Sequence, residues 1–249
     1  MDEKWLEKFF QNKDLHPNRT GQSAIFAGPP NFGGRYNYDE LEDIKTKNLG
    51  LGWIYYSLAR LYKPKLSVAI GSGRGFCPIL LAKGIKDNEN KGILEFIDPS
   101  LDDDFWKNLE KNKEYFSNFE INDVINHTLL TTQEFVKTDK YKNMNKIDLM
   151  SIDASHFYEF VKDDWEHFKN KISDNGIIIF HDSISRSANP KWSGPRKVLL
   201  EIAKDPNYQF FDLKFGAGLT LVQKNFFEQS KEYIEKLDKE WTNPDKDLF

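Results

Sequence analysis

Apolar residues along the chain recur with two spacings, which predict helices and strands in alternation. Helical spacing predicts helices in segments near residues 1–20, 53–63, 78–83, 157–168 and 196–203. The apolar face predicted for the helix at 157–168 consists of Phe157, Phe160, Val161, Trp165 and Phe168. Short apolar runs predict strands at 67–70, 92–98, 126–130, 146–153 and 177–182, with a turn at 173–176 before the last of them. Runs that are apolar on both faces are typical of parallel strands covered by helices.

This alternation predicts an α/β fold with a Rossmann-like, doubly wound and mostly parallel sheet. Two further strand segments, at 208–214 and 219–222, predict a C-terminal antiparallel hairpin. We expect the domain to span residues 50–224. Residues 1–49 would form a helical and loop segment, whose Gly- and Pro-rich stretch 25–34 is either a lid or a plain surface connection. Residues 225–249 would form a peripheral charged helix.

The amino-acid composition argues against several classes of protein, among them disulfide-bonded, nucleic-acid-binding and membrane-spanning ones. The 20 Phe, 10 Tyr and 6 Trp are ample for a core, and the net charge of −4 offers no field that would attract a nucleic acid. Cys77 is the single cysteine and excludes an internal disulfide. We find no signal-peptide pattern at the N-terminus and no apolar run of the roughly 20 residues that a membrane span needs. We therefore expect a cytoplasmic protein that acts on a small molecule, without a nucleic-acid or membrane partner, as a monomer or a homodimer.

A glycine-rich turn follows the first predicted strand of the sheet. Gly71, Gly73 and Gly75 surround Ser72 and lead directly into a predicted helix. Glycine permits positive φ and lets a ligand lie against the backbone, and the start of the helix offers free N–H groups. The pattern favours a ligand-binding turn, with an ordinary strand-to-helix turn as the alternative.

Polar side chains lie at the ends of the other central strands. In doubly wound sheets ligands bind at these carboxyl ends, and so many polar groups there are hard to explain by folding alone. The candidates are Asp98, Thr132, Gln133, Asp153, His156, His181 and Asp182.

Asp98 ends the strand that follows the glycine turn. A carboxylate there can accept both hydroxyls of a ribose, as in dinucleotide and adenosyl sites, or it can cap the turn at Pro99 and Ser100. Phe76 occupies the place of the last glycine in the G-x-G-x-x-G pattern. That substitution disfavours a nicotinamide dinucleotide and leaves an adenosyl cofactor as the better fit.

Four motifs together resemble the class I S-adenosylmethionine-dependent methyltransferases, and most closely a bacterial group that consists mainly of O-methyltransferases, several of them acting on sugars. The motifs are Ile70-Gly-Ser-Gly-Arg-Gly75, Ile97-Asp-Pro99, Ile147-Asp-Leu-Met-Ser-Ile-Asp-Ala-Ser-His-Phe-Tyr-Glu159 and Asn175-Gly-Ile-Ile-Ile-Phe-His-Asp-Ser183. The resemblance implies that S-adenosylmethionine is bound by Gly71, Ser72, Gly73, Gly75, Asp98, Thr132, Gln133 and Asp153.

One position departs from the family pattern. The strand before the glycines usually carries an acid two places ahead of the first glycine, and this chain has Ala69 there. That acid helps to hold the amino end of the cofactor. Its absence leaves open a catalytically silent module that only binds an adenosyl ligand.

The resemblance also implies two ways to activate an acceptor hydroxyl. The first way is that of related metal-dependent enzymes. By analogy with them, Asp153 and Asp182 of this chain would hold Mg²⁺, Ser183 would replace the usual asparagine, and His156 would be the base. Without a metal, His156 or His181 alone would serve as the base.

The resulting hypothesis is an O-methyltransferase that uses S-adenosylmethionine, with Mg²⁺ assistance as an option, on a small polar acceptor. A sugar or nucleotide-sugar is favoured by the resemblance, as in polysaccharide or natural-product biosynthesis. A catechol or other phenol is the second choice, and a nicotinamide-dependent oxidoreductase and the silent adenosyl-binding module are the alternatives from other classes.

Overall fold

A computed structural model describes residues 1–15, 36–37, 42–43, 46–101, 104–184, 193–214, 216 and 218–224. The helices in this part of the chain are α1 Glu3–Gln11, α2 Gly52–Tyr62, α3 Phe76–Lys86, α4 Leu109–Asn118, α5 Thr132–Phe135, α6 Asp139–Lys142, α7 Tyr158–Phe168 and α8 Gly194–Ile202, with a 3-10 turn at Phe105–Lys107. The strands are β1 Tyr36–Asn37, β2 Glu42–Asp43, β3 Leu66–Ile70, β4 Ile93–Ile97, β5 Ile125–Thr128, β6 Ile147–Ile152, β7 Ile172–His181, β8 Tyr208–Leu213 and β9 Leu219–Lys224.

Seven strands form one sheet in the order β5-β4-β3-β6-β7-β9-β8, while β1 and β2 pair separately. The strands from β3 to β7 are parallel, and β9 lies antiparallel to both β7 and β8. The chain crosses from β5 at one edge back to β6 beside β3, which creates the switch point where ligands bind in such sheets. The predicted doubly wound sheet with a C-terminal antiparallel hairpin is therefore confirmed.

Alternate side chains along the strands supply two cores, one on each face of the sheet. Ala69 on β3 joins the core with α1 to α4, and its neighbour Val68 joins the core with α7 and α8. The predicted N-terminal helix is present as α1, and Trp5 on it is buried and donates from Nε1 to the Phe119 carbonyl over 2.8 Å. Burial on both faces explains why the central strands are mostly apolar.

Two local predictions were wrong. The predicted turn at 173–176 lies inside β7, because β7 begins at Ile172 and its register with β6 shifts between Ile147 and Leu149. Phe157 and Phe160, expected on the apolar face of the helix at 157–168, are exposed, because Phe157 precedes the first turn of α7 and Phe160 lies beside the buried Val161.

The N-terminal stretch 16–20, the lid candidate 25–34 and the tail 225–249 lie outside the described residues. No helix in the described part of the chain is long and apolar enough to cross a membrane.

Candidate active site

Positive φ angles and close packing restrict two residues of the glycine turn to glycine. Gly71 and Gly75 have φ of +67° and +93°, a region that residues with a side chain rarely adopt. A Cβ at Gly71 would lie 2.4 Å from Cα of Ala154, so the turn packs directly on the segment after β6. A Cβ at Gly75 would lie 3.2 Å from the Trp106 ring. Two of the three glycines are therefore needed for the fold itself.

Gly73 and Ser72 differ from these two. A Cβ at Gly73 would meet no atom within 4 Å, so this part of the turn borders open space. The Ser72 side chain is 7% exposed, and its hydroxyl has no hydrogen-bond partner among the described residues. A bound ligand that offers a polar group to Ser72 and lies against Gly73 would fit both observations.

Asp98 follows β4 next to this turn and is 9% exposed. Its Oδ1 accepts from the Ser100 main-chain N–H over 2.7 Å, and Ser100 has a φ of +59°. The turn-capping role considered for Asp98 is thus present in the structure. This capping bond involves Oδ1. Binding of a ribose by Asp98 stays a prediction.

Thr132 and Gln133 make their contacts with α7. Thr132 is buried and its hydroxyl bonds to the Asp164 carboxylate, while Gln133 Nε2 donates to Asp163 Oδ2 over 2.6 Å. These bonds tie α5 to α7, and a role of the two residues in cofactor binding stays a prediction. Sequence spacing alone does not indicate such pairing between helices.

Asp153 and His181 meet at the ends of β6 and β7. These strands are neighbours and parallel, so residues just past their ends come together. The Asp153 main-chain N–H donates to the Ile70 carbonyl over 2.9 Å, which continues the β3–β6 pairing. Its Oδ1 lies 2.9 Å from Nδ1 of the nearly buried His181.

His156 and Asp182 form a second pair beside the first. His156 Nε2 lies 2.8 Å from Asp182 Oδ2, and His181 Nδ1 lies 3.5 Å from the same oxygen. Asp182 has a φ of +49°, a conformation uncommon for a residue with a side chain. The chain turns there directly after β7, which places the carboxylate between the two imidazoles.

In this second pair, each residue stabilises the charged form of the other. The hydrogen bond with Asp182 raises the pKa of His156, and burial opposes that effect. Burial alone would raise the pKa of the Asp182 carboxyl, but the charge of His181 and the hydrogen bond from His156 outweigh it, so the pKa of Asp182 lies well below its ordinary value. Asp182 is therefore an anion at neutral pH.

Asp153, His181 and Asp182 could also hold a metal ion together. Each offers one ligand atom, and these atoms lie within 4.8 Å of one another. Two carboxylates fit the preference of Mg²⁺ for oxygen, and an imidazole is a ligand that Mn²⁺ and Zn²⁺ accept as well. The two predicted ligands, Asp153 and Asp182, thus lie close enough together to bind one ion, with His181 as a third donor, and the binding itself stays a prediction.

Two contacts fix the segment that carries His156. The His156 carbonyl accepts from the Gly194 N–H over 2.9 Å, and a Cβ at Gly194 would lie 2.4 Å from that oxygen. Tyr158 donates its hydroxyl to Glu201 on α8 over 2.6 Å. The tyrosine of the sequence motif therefore links α7 to α8 through its hydroxyl.

A groove of about 610 Å³ lies elsewhere, between α7, α8 and the β7–β9 pair. Its charged lining residues are largely paired with one another, as Lys162 is with Glu201 at 2.7 Å and Lys224 is with Asp174 at 3.0 Å. With those charges paired, the groove offers fewer groups for acid–base or metal chemistry than the carboxyl edge of the sheet.

Comparison with known proteins gives a family match over the region that contains these residues. A family model described as a methyltransferase domain matches residues 68–183, a range that runs from β3 to the residue after Asp182. It includes the glycine turn, Asp98 and both carboxylate–histidine pairs. No curated protein matches the sequence.

Solved structures of O-methyltransferases share the fold. TomG from Streptomyces achromogenes, involved in tomaymycin synthesis and solved with S-adenosylmethionine, has a TM-score of 0.61 at 13% identity, over 90% of this chain and 91% of that one. An O-methyltransferase from Bacillus cereus, solved with S-adenosylhomocysteine, has a TM-score of 0.62 at 16% identity, over 90% and 92%. A putative caffeoyl-CoA O-methyltransferase from Staphylococcus aureus has a TM-score of 0.55 at 15% identity, over 70% and 83%.

At these identities the structural likeness shows the fold, and the family match adds the class of domain. The predicted methyltransferase with a class I fold is confirmed by the two together. Residues 68–183 match a family model described as a methyltransferase domain, and the chain has the class I methyltransferase fold.

Proposed function

We propose that this protein transfers a methyl group from S-adenosylmethionine to a hydroxyl of a small polar acceptor. One observation carries the proposal. The open face of the glycine turn and the two carboxylate–histidine pairs lie side by side, because Gly71 packs on Asp153 and Ala154. A cofactor against the turn would therefore border groups that can take a proton from an acceptor.

The residues around the turn fit the cofactor. Gly73 leaves space for it, Ser72 offers a buried hydroxyl, and Asp98 would accept from the ribose hydroxyls. Bound there, S-adenosylmethionine supplies an electrophilic methyl group. Ala69 is fully buried in the core with α1 to α4, so any residue that holds the amino end of the cofactor must lie elsewhere.

His156 is the residue that we assign as the general base. An acceptor hydroxyl must lose its proton as the new bond to carbon forms, and an imidazole takes up protons near neutral pH. Asp182 orients the His156 ring through the 2.8 Å contact and stabilises the imidazolium after proton uptake. His181 does the corresponding work of holding Asp153 in place.

We further propose that a divalent cation binds at Asp153 and Asp182, with His181 as a third donor. A cation there would lower the pKa of an acceptor hydroxyl, so that a weaker base than a free imidazole could remove the proton at the His156 position. The imidazole in the donor set suits Mn²⁺ at least as well as Mg²⁺. Calorimetric titration of EDTA-treated protein with each ion tests this without any turnover, and Asp182→Asn should abolish the binding.

For the acceptor we propose a sugar or nucleotide-sugar, on the resemblance of the motifs to enzymes of that kind. A phenolic acceptor is a second candidate, because the exposed ring of Phe157 directly follows His156 in the chain. Such an acceptor could stack on an aromatic side chain. Phe157→Ser should then weaken a phenol and leave a sugar unaffected.

A methyl-transfer screen over sugars, nucleotide-sugars and phenols, with and without Mg²⁺ or Mn²⁺, tests the proposed activity. We expect turnover of at least one hydroxyl compound, lost in His156→Ala. Binding of S-adenosylhomocysteine without turnover of any acceptor would favour the silent adenosyl-binding module instead. Reduction or oxidation of an acceptor with a nicotinamide cofactor would contradict the proposal outright.

A further inference from the structure

A buried network beneath the glycine turn connects it with the end of β4. Trp106, 2% exposed, belongs to the 3-10 turn at Phe105–Lys107. Its indole Nε1 donates to the Gly73 carbonyl over 2.7 Å, which fixes the peptide plane at the open part of the turn. Its main-chain N–H donates to the Ser100 hydroxyl over 3.0 Å. Trp106 thus bonds to both loops that would border the cofactor, to one through its indole and to the other through its main-chain N–H.

The same network holds Asp98 from two directions. Ser100 donates its N–H to Asp98 Oδ1 over 2.7 Å, and His127 Nε2 lies 3.0 Å from the Asp98 carbonyl oxygen. Because a carbonyl can only accept, His127 must carry its proton on Nε2. The backbone and the carboxylate of Asp98 are therefore both fixed before any ligand arrives.

Asn112 on α4 completes the arrangement. It is 3% exposed, and its amide nitrogen donates to the Trp106 carbonyl over 2.6 Å and to His127 Nδ1 over 3.1 Å. The two amide protons are both used, and His127 Nδ1 has to be an acceptor. Burial lowers the pKa of His127, in agreement with a neutral ring. The pairing of Asn112 on α4 with His127 on β5 is seen only in the structure.

We propose that Trp106, Asn112 and His127 are positioning residues, which hold the glycine turn and Asp98 at a fixed separation and thereby set the affinity for S-adenosylmethionine. The inference rests on the proposed function, since it assumes that the cofactor lies between these two elements. An apolar core would fill the space without directed bonds. Here the Trp106 indole, the Asn112 amide nitrogen and both ring nitrogens of His127 have defined partners, which is what preorganisation of a binding site requires.

Two variants remove hydrogen bonds of the network and keep an aromatic ring. Trp106→Phe removes the indole donor to Gly73, and His127→Phe removes both bonds of the imidazole while retaining the stacking on Phe96 at 4.9 Å. We expect each to raise the dissociation constant of S-adenosylhomocysteine by about 5- to 10-fold, as for a lost buried hydrogen bond. The KM for the cofactor should rise by a similar factor, with kcat nearly unchanged. His127→Gln can still donate to the Asp98 carbonyl and should recover part of the affinity.

Trp165→Phe is the matched control. Trp165 is 4% exposed and lies in the other core, so the variant loses a buried indole far from the turn. We expect it to lower the melting temperature about as much as Trp106→Phe, with unchanged affinity. A double-mutant cycle of His127→Phe with Asp98→Ala distinguishes an effect on the position of Asp98 from an effect on general stability. If His127 acts by positioning Asp98, His127→Phe should cost no further affinity once the carboxylate is gone.

The measurements are isothermal calorimetry with S-adenosylhomocysteine and the rise in melting temperature that it causes, which reports affinity even in a less stable variant. Wild-type affinity in folded Trp106→Phe and His127→Phe would overturn the positioning role and leave the proposed function intact. An equal loss in Trp165→Phe would overturn it as well, since the effect would be one of general stability. Failure of the wild-type protein to bind would reject the proposed function itself.

Discussion

The carboxylate of Asp98 already makes a bond inside the protein, and this changes how a mutation there should be interpreted. Its Oδ1 accepts a hydrogen bond from the Ser100 N–H, in a turn where Ser100 has a positive φ. Replacement by alanine removes this cap together with any contact to a ribose. Replacement by asparagine can keep an acceptor for Ser100 while removing the charge.

We therefore predict different outcomes for the two variants of Asp98. Asp98→Ala should weaken S-adenosylhomocysteine binding by about 1.5–3 kcal/mol, the range for hydrogen bonds to a charged group, and should also lower stability. Asp98→Asn should weaken binding with a much smaller change in melting temperature. Calorimetry and thermal unfolding check the pair. If Asp98→Asn binds like the wild type, the carboxylate is a turn cap and not a ribose ligand.

His156 allows a second prediction at this scale. His156→Ala should lower the methyl-transfer rate by roughly 10²–10⁴-fold, the usual worth of a positioned general base, with the cofactor KM unchanged. The control is His167→Ala, because His167 lies near the end of α7 and pairs with Asp163 at 3.2 Å. Rates that fall equally in both variants would point to a general effect on α7.

A buried acid on α7 makes a prediction about stability. Asp164 is 4% exposed, and burial raises its pKa to about 7. The folded state then holds the proton more tightly than the unfolded state, so the contribution of Asp164 to stability is greatest below pH 4 and is lost as pH rises towards 7.

Asp164→Asn removes this dependence on pH. Relative to the wild type, the variant should gain unfolding free energy as pH rises from 4 to 7, on the order of 3 kcal/mol in total. Urea unfolding at several pH values measures the difference, and Glu159→Gln, an exposed acid on the same helix, is the control. A difference that stays constant over this range would show that Asp164 has an ordinary pKa.

At the scale of elements, the glycine turn combines structural and binding roles in neighbouring residues. Gly71 packs on Ala154, whereas Gly73 faces open space. The sequence alone assigns the same role to both, because spacing does not show which glycine touches protein and which touches a ligand.

The two glycines should therefore respond differently to alanine. Gly71→Ala should unfold or severely destabilise the protein, because its Cβ would lie 2.4 Å from a backbone atom. Gly73→Ala should cost only about 1 kcal/mol for a positive φ and should weaken cofactor binding, since the methyl group enters the open space. Thermal unfolding with and without S-adenosylhomocysteine distinguishes them. Full binding by Gly73→Ala would remove this residue from the site.

The elements themselves were largely predictable, since they depend on local patterns. Apolar runs gave the central strands, and the glycines after β3 gave the strand-to-helix turn. The register shift in β7 was missed because Asp174, Asn175 and Gly176 favour a turn locally, and pairing with β6 overrides that preference. The His127 network and the bonds of Gln133 to α7 join residues far apart in sequence, and no local signal predicts such partners.

At the scale of the whole molecule, topology creates the site. The β6 strand is distant in sequence from β3, yet it lies beside β3 in the sheet, and β7 lies next to β6. Residues at the ends of these three strands therefore converge at one edge. Asp153, His156, His181 and Asp182 were all candidates from sequence, because each follows or ends an apolar run. Their pairing as Asp153 with His181 and His156 with Asp182 required the structure.

Calorimetric titration of the purified protein with S-adenosylhomocysteine, set beside a titration with NAD, tests the central claim most directly. We predict saturable binding of S-adenosylhomocysteine at one site per chain, weakened in Asp98→Asn and Gly73→Ala, and no binding of NAD. A folded protein that binds NAD, or that binds neither compound, would contradict the assignment of this edge of the sheet as a methyl-donor site.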